Sequence, residues 1–438
     1  MTEPLVIDDR ARRRFLVNRE VFTSEEILRR EREAFFDKAW IYVGHESEVP
    51  RRNDFRTRHV AGRPVIFLRD AAGAVRVLLN TCRHRGAQVC REAKGSSKVF
   101  TCFYHGWAYR NSGQLVNIPD RESYPDDFPS HELGLVGPPR VASYRGFVFA
   151  SFDPGVEELD SYLAGARQLL DLVADQSESG MVVLPGIHHY SMRANWKLLM
   201  ENSCDGYHGM SVHQTYIEMM MDLGVTPGVM SQDASAAPAP NAGIDLGNGH
   251  ATTMMREIGL PLMSERARQL AGQRRDELVK LHGEEYTARM YNLSRNTIVF
   301  PNLAVIDLNF GIQIRTMYPT APDHTEITGW QLIAPEIAEE LKAYRIDNAL
   351  SFWGPGGLAT PDDVAALEQC QRGFVTRSEV GWSDISKGMS KATPGVFDEN
   401  QMRTFWRRWN HLMTGAESEP EGPSYAEVIG AGSVRSGS

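Results

Sequence analysis

Four residues in two short runs constrain this chain more than any other feature: Cys82-Arg83-His84 and Cys102-Phe103-Tyr104-His105. They read C-x-H, then 17 intervening residues, then C-x-x-H. Each run offers one thiolate and one imidazole. Such a set can hold a [2Fe–2S] cluster, one iron taking both sulfurs and the other both histidines. Two hairpin tips meeting over the cluster satisfy that geometry. The flanks suit such tips, because Val75 to Asn80 and Lys98 to Thr101 are strand-like. Gly86 and Gly106 follow the two pairs, where backbone must approach sulfur closely. Tetrahedral zinc is the alternative for the same donors, although zinc fingers usually pair Cys with Cys and His with His.

With Arg83, Arg85-Gly86 and Gly106-Trp107 around the ligands, the two runs resemble the Rieske iron–sulfur proteins in the version found in aromatic-ring oxygenases. The respiratory version carries an extra cysteine in each loop, joined as a disulfide. Ala87 and Tyr104 stand in those places here, so that bond cannot form.

At 438 residues the chain is long enough for two or three domains. With 42% hydrophobic and 24% charged residues its balance is that of a soluble globular protein. A net charge of −9 argues against nucleic acid as a general partner and supplies no field that would collect anions. No stretch has the apolar length of a membrane span, and the first residues lack the apolar core of a secretory signal. Cytoplasmic residence is the expectation. Five cysteines are too few for a disulfide scaffold; beyond Cys82 and Cys102, the expectation for Cys90, Cys204 and Cys370 is buried free thiols.

Taken in order, Ser24 to Trp40 predicts a helix capped by Ser24, the main part of an N-terminal segment 1–40. Short alternating runs then predict strands at Val65 to Leu68, Val75 to Leu79, Lys98 to Phe103, Ala108 to Tyr109 and Phe147 to Ser151. They make a small all-β domain over 41–155 that contains both ligand runs. A second domain over 156–415 mixes longer elements. Leu159 to Ala174 reads as a helix, and residues 226–250 as a long loop. Asn296 to Asn309, Gly311 to Tyr318 and Glu326 to Leu332 read as antiparallel strands. Helices follow at Glu336 to Asn348 and from about Pro361. Residues 416–438 read as a flexible tail. The fold class is α+β: an all-β cluster domain and a catalytic domain with an antiparallel sheet flanked by helices, helix-grip-like. There is no internal repeat.

A second metal site is written between Asn195 and His213. Trp196, Leu199, Met200 and Cys204 recur at helical spacing and predict a helix with one buried face. Glu201, Asp205 and His208 would align on another. On an unbroken helix His213 would sit about 140° around and ~7.5 Å along from His208. The helix must therefore break between them, with Gly209 the natural place. Two imidazoles and one carboxylate make the facial triad that binds non-haem iron(II) and leaves positions open for oxygen.

A cluster run followed by D-x-x-H-x-x-x-x-H is similar to the large (α) subunits of Rieske non-haem iron ring-hydroxylating oxygenases, over nearly the whole chain. The resemblance implies that the third iron ligand lies far downstream, in WGPGGLATPDDVAALEQCQ, where Asp363 aligns with it and Asp362 is the neighbour to weigh against it. Thr360-Pro361-Asp362-Asp363 also reads as a helix start with a threonine cap. It implies that Asp205 bridges His105 of one subunit to His208 of the next, and it places Asn202 near the iron. It further implies electrons from a separate reductase or ferredoxin, O2 and an aromatic substrate, and an α3β3 assembly with a small β subunit or an α3 one. The product would be a cis-dihydrodiol, or with one oxygen atom inserted, that of a Rieske monooxygenase. An electron carrier would need neither His208 nor His213. Taken whole, the sequence looks nearest to oxygenases of aromatic carboxylic acids of the cumate, benzoate, salicylate and phthalate types. Met210, Val305, Asp307, Asn309, Phe352 and Leu358 are the expected pocket residues, with Arg193 or Arg295 for a carboxylate.

Overall fold

The computed structural model describes residues 4–224, 241–256, 263–308, 310–417, 419, 420, 422 and 424–429. The chain forms two compact units, Phe35–Leu159 and a second built from Met1–Ala34 with Asp160–Ser438. The boundaries thus fall at 34/35 and 159/160, not at 40/41 and 155/156. Hydrogen bonds within the smaller unit explain the shift. The indole N–H of Trp40 donates to Glu157 O at 2.9 Å, and the Ser151 hydroxyl donates to Lys38 O at 2.9 Å.

The smaller unit is all β. Val75–Leu79, Arg63–Arg69, Asp54–Val60 and Lys94–Ser96 form one antiparallel sheet in that spatial order. Arg140–Tyr144, Phe147–Ser151 and Ile41–His45 form a second. Leu115–Asn117, Ala108–Arg110 and Val99–Thr101 form a third. Phe55, Ile66, Leu68, Leu78, Phe100, Trp107 and Tyr109 share one buried cluster with Cys82 and Cys102, so both thiols are part of the core.

The larger unit is organised on an eight-stranded antiparallel sheet. Val182–Val183 and His188–Met192 both pair with His324–Ile333. The order then runs through Gly311–Ala321, Leu303–Leu308, Leu293–Val299, His250–Arg256 and Ala242–Gly247. Three segments differ from the sequence reading. The run 296–309 is two strands, because Phe300-Pro301-Asn302 turns the chain between them; proline's missing N–H unsuits it to a strand interior. Residues 242–247 are an edge strand of the sheet, not loop. The 226–240 part of that loop lies outside the described residues, as does Asn309. The segment 159–174 is two helices, Leu159–Leu163 and Ala166–Ala174, separated by Ala164 at φ +44°.

The N-terminal helix is capped as expected: Ser24 Oγ accepts the Ile27 N–H at 3.3 Å. Its α-helical part is only Glu25–Glu31, followed by a π turn over Arg32–Phe36. Part of the expected tail is ordered: Tyr425–Ile429 forms a short helix beside the Ala242–Gly247 strand, with Tyr425 buried. Cys90 and Cys204 are buried free thiols, whereas Cys370 is exposed. No described helix is long and apolar enough to cross a membrane.

Candidate metal centres

The first centre lies in the smaller unit, on two loops of nearly identical construction. Gly86 N–H donates to Cys82 O at 2.9 Å, and Gly106 N–H donates to Cys102 O at 2.9 Å. Cys82 N–H reaches Ala87 O, and Cys102 N–H reaches Trp107 O, each at 2.8 Å. Both glycines have positive φ, +78° and +72°, which lets each loop close directly behind its ligand pair. The two thiols are buried and within hydrogen-bonding reach of each other, and burial pushes the Cys102 thiol up. The His84 and His105 rings meet edge to face at 4.6 Å. Buried His84 Nδ1 has no hydrogen-bond partner among the described residues, as suits a nitrogen shaped to bind a metal. Two sulfurs side by side and two imidazoles side by side fit a two-iron cluster with a split ligand set.

Other residues hold these loops in place. Asn80 Oδ1 accepts from the Val89 and Cys90 amides, each at 2.9 Å, and its Nδ2 donates to Cys90 O at 2.7 Å. The Trp107 indole stacks on His84, 5.1 Å between centroids and 6° from parallel. The Tyr109 hydroxyl lies 3.2 Å from Cys82 Sγ and accepts the Arg83 N–H at 3.1 Å. Tyr109 and Asn80 were not expected from the sequence. Each reads there as an ordinary strand or turn residue, and only the pairing brings it to the sulfur loop.

The second centre is in the larger unit. The helix Trp196–Ser203 ends before Asp205, so Glu201, Asp205 and His208 do not share a face. Glu201 instead accepts the Trp406 indole N–H, and burial raises its carboxyl to about 8. The break spans 204–208, with Gly206 inside it, and helix resumes at Gly209. A Cβ on Gly206 would stand 2.6 Å from Val396 O, while one on Gly209 would meet nothing within 4 Å. Asp205 Oδ1 accepts the Tyr207 N–H at 2.6 Å, a side-chain turn that competes with the helix. His208 and His213 then flank a single helical turn, Gly209–Val212, with their rings 5.1 Å apart.

Opposite them stands Asp363 on the first turn of the helix Thr360–Gly373. Ala359, not Thr360, is the cap; the Thr360 hydroxyl donates to Trp353 O at 2.9 Å. Asp363 is buried and Asp362 only partly so. Asp363 Oδ1 lies 3.4 Å from His208 Nε2 and 3.5 Å from His213 Nε2. One ligand atom from each of the three residues falls within 4.8 Å of the others. Donors about 2.1 Å from one ion, at angles near 90–109°, lie about 3.0–3.4 Å apart, so this triad fits a single first-row metal. Asn202 Nδ2 donates to Asp363 Oδ1 at 3.0 Å and lies 3.3 Å from His208 Nε2. Asp205 Oδ2 stands 3.1 Å from His208 Nδ1. Burial opposes charge on His208, but Asp205 and Asp363 overcome it and raise the ring to about 9. Burial would also raise Asp363; His208, His213 and Asn202 bring it below the usual carboxylate range.

The triad opens onto a cavity of about 140 Å³ whose exposed lining is chiefly apolar. Met210 and Phe352 line it as expected, and Phe352 meets His213 edge to face at 5.8 Å. Val305 and Asp307 do not: on the strand Leu303–Leu308 it is Ile306 and Leu308 that face the cavity. Alternation along a strand makes a choice of odd over even residues wrong for every position at once. Asp307 points the other way and pairs with buried Arg295. Leu358 is not on the cavity wall. Neither arginine proposed for a carboxylate is there, since Arg193 pairs with Glu368 and Arg295 with Asp307. Arg315 and Asn296, unmarked in the sequence, are on the wall.

The family described as Ring hydroxylating alpha subunit (catalytic domain) matches residues 184–415, and the Rieske [2Fe-2S] domain matches residues 39–144. The chain is 35% identical to the toluate 1,2-dioxygenase subunit alpha of Pseudomonas putida, over 96% of this chain and 91% of that one. It is 33% identical to the 2-halobenzoate 1,2-dioxygenase large subunit of Burkholderia cepacia, covering 93% and 86%. Among solved structures it resembles naphthalene 1,2-dioxygenase from Rhodococcus sp. bound to indole, with a TM-score of 0.80 and 28% identity over 92% of this chain and 95% of that one. Both centres and both matched domains thus lead to one conclusion: the chain belongs to the ring-hydroxylating dioxygenases, as a large (α) subunit whose cofactors are a Rieske [2Fe–2S] cluster and a mononuclear non-haem iron.

Proposed function

We propose that this subunit cis-dihydroxylates the ring of a one-ring aromatic carboxylic acid. The observation that carries the reading is the cavity of about 140 Å³ directly on the His208–His213–Asp363 triad. An apolar cavity of roughly 150 Å³ is enough to take one benzene ring. The relatives named for toluate and 2-halobenzoate support an acid of that size.

In this reading Cys82 and Cys102 hold one iron of the cluster, His84 and His105 the other, and His208, His213 and Asp363 hold the mononuclear iron. Bound there, the two centres supply electron transfer and O2 chemistry: one arene, one O2, two electrons and two protons give one cis-dihydrodiol. The chain's own residues do the rest. Asp205 fixes the His208 ring through Nδ1, leaving Nε2 for the metal. Asn202 holds the Asp363 carboxylate in line. Ile306, Leu308 and Phe352 keep the ring dry and against the open face.

The electrons come from a separate reductase or ferredoxin, and the working assembly is α3β3 with a small β subunit, or α3. The words "subunit alpha" and "large subunit" in the relatives' names support a multicomponent enzyme. Asp205 would then also accept from His105 of the partner subunit. A cytoplasmic setting agrees with five free cysteines.

A single turnover tests the reading. The holoenzyme, with about three irons per chain, is reduced chemically, freed of reductant and given labelled O2 with benzoates and with neutral arenes. Two labelled oxygens in a diol acid are expected. One labelled oxygen would make it a monooxygenase.

A further inference from the structure

Arg315 is a wall residue of the cavity with no task in the reading above. It sits on the strand Gly311–Ala321, only 3% exposed. One guanidinium nitrogen donates to Ser203 Oγ at 2.8 Å. The Ser203 hydroxyl already donates to Leu199 O at 2.6 Å, so toward Arg315 it only accepts. Arg315 Nε is buried with no partner among the described residues, although the side chain borders the cavity.

No carboxylate among the described residues pairs with Arg315. Buried Arg274, Arg295 and Arg407 do have acids, Glu336, Asp307 and Asp8, whereas Arg315 shares its lack of one with buried Arg345, which is not on this cavity wall. Guanidinium cannot lose its proton in a protein, so the charge stays. A buried charge with one neutral acceptor and four further N–H donors is a poor structural element. It is a good anion receptor, because its planar fork matches the two oxygens of a carboxylate.

Its position relates it to the metal triad. Ser203, its hydrogen-bond partner, is the neighbour of Asn202, whose side chain touches both His208 and Asp363. Asn296, across the sheet, adds a second polar group to the wall, with a buried Oδ1 that has no partner among the described residues. The rest of the wall near the sheet is apolar, with Ile306 and Leu308 on the adjacent strand. The cavity therefore has a cationic corner and hydrocarbon sides.

We propose that Arg315 is the specificity-determining residue of this cavity, binding the carboxylate of an aromatic acid while the ring lies against Ile306, Leu308 and Phe352. This rests on the reading of the cavity as an aromatic substrate site and assigns its anion contact.

The test compares benzoate with benzamide, its near-isosteric neutral amide, by calorimetric titration of the holoenzyme at pH 7. Wild type is expected to prefer benzoate by roughly 10²-fold, in line with charge-assisted, bidentate recognition. Arg315→Gln should weaken benzoate by a similar factor and leave benzamide within ~3-fold; Arg315→Lys, which keeps charge but loses the fork, should fall between. The cluster's visible absorption and the iron content report folding of each variant. Benzoate affinity unchanged in Arg315→Gln, or equal loss of both ligands, overturns the assignment. So does a wild type with no preference for the acid, whatever the variants' folding. Labelled-O2 turnover separates the two ideas. Products from neutral arenes but not from benzoate leave the oxygenase and sink the Arg315 assignment. Arg315-dependent benzoate binding with no labelled product upholds the assignment and sinks the proposed reaction.

Discussion

The two oxygens of Asp205 point in different directions, one to the Tyr207 amide and one to His208 Nδ1. The first shapes the turn that follows the helix; the second fixes a ring whose other nitrogen stands 3.4 Å from Asp363 Oδ1. Asp205→Asn keeps the shape and removes the charge. Both metal centres should still fill, as judged by iron analysis and the cluster's visible spectrum, while product per electron delivered falls roughly 10- to 100-fold. Normal coupled turnover in that variant would remove Asp205 from the electron route. At this scale the sequence is informative where spacing is unusual. Mixed Cys/His pairs and two histidines five residues apart have few ordinary uses. Asp363 stands out only through the family resemblance, and burial on one side of a helix start supplies the physical reason it outranks Asp362. Tyr109 and Arg315 carry no local mark, because a tyrosine or arginine on a strand reads the same whether it touches a sulfur, an acid or nothing.

At the scale of elements, the face of a strand decides function. Ile306 lines the cavity and Val305 faces away, so truncating each separates chemistry from stability. Both Ile306→Ala and Val305→Ala should lower stability, by about 2–4 and 1–3 kcal/mol respectively. Only Ile306→Ala should admit larger ring substituents, seen as a changed KM ratio for bulky against small acids. A shift of that ratio in Val305→Ala instead would mean the facing is wrong. The apolar run LAVIDL is buried throughout, so alternation has nothing to show in the sequence. The strand His250–Arg256, two places along the same sheet, carries a pH signature. His250 Nδ1 accepts the Phe300 N–H at 2.9 Å, so the neutral ring carries its proton on Nε2, 2.7 Å from Tyr162 O. Burial lowers its pKa from 6.5 to about 4. The unfolded chain takes up this proton near pH 6.5 and the folded one only near 4. The stability linked to it is therefore whole above 6.5 and lost as pH falls toward 4. Melting curves at pH 7 and pH 5 should show a smaller acid-side drop for His250→Gln than for wild type, from a lower starting point at pH 7. An equal drop in the two proteins would exclude His250 as the source.

At the scale of the whole molecule, a single carboxylate ties three distant stretches of the larger unit together. Glu31 is fully buried and accepts from Lys197 Nζ at 2.6 Å and from the indoles of Trp196 and Trp409, each at 2.8 Å. It thereby fastens the N-terminal segment to the helix that carries Asn202 and to the C-terminal helix Asn400–Thr414. Glu31→Gln strands the Lys197 charge and should cost about 3–5 kcal/mol in denaturant unfolding. Replacing Lys197 by Met in the same protein should recover part of that loss. If Glu31→Gln unfolds at the wild-type midpoint, the network is not what joins these segments. The two-domain plan is legible from the composition change near residue 155. The return of residues 1–34 to the catalytic unit is not, since Glu31 interrupts an otherwise apolar helix face and its partners lie 165 to 378 positions away.

That connectivity also sets an order of assembly. A ribosome makes the chain from its N-terminus, and Phe35–Leu159 is complete when fewer than half of the 438 residues exist. The larger unit has its first piece by then and lacks the rest. Glu31 receives its last donor, Trp409, 378 residues after its own incorporation, roughly 20–75 s later at ordinary translation rates of about 5–20 residues per second. The segment that cradles the iron–sulfur cluster is thus finished on the nascent chain well before the oxygen-binding half can close.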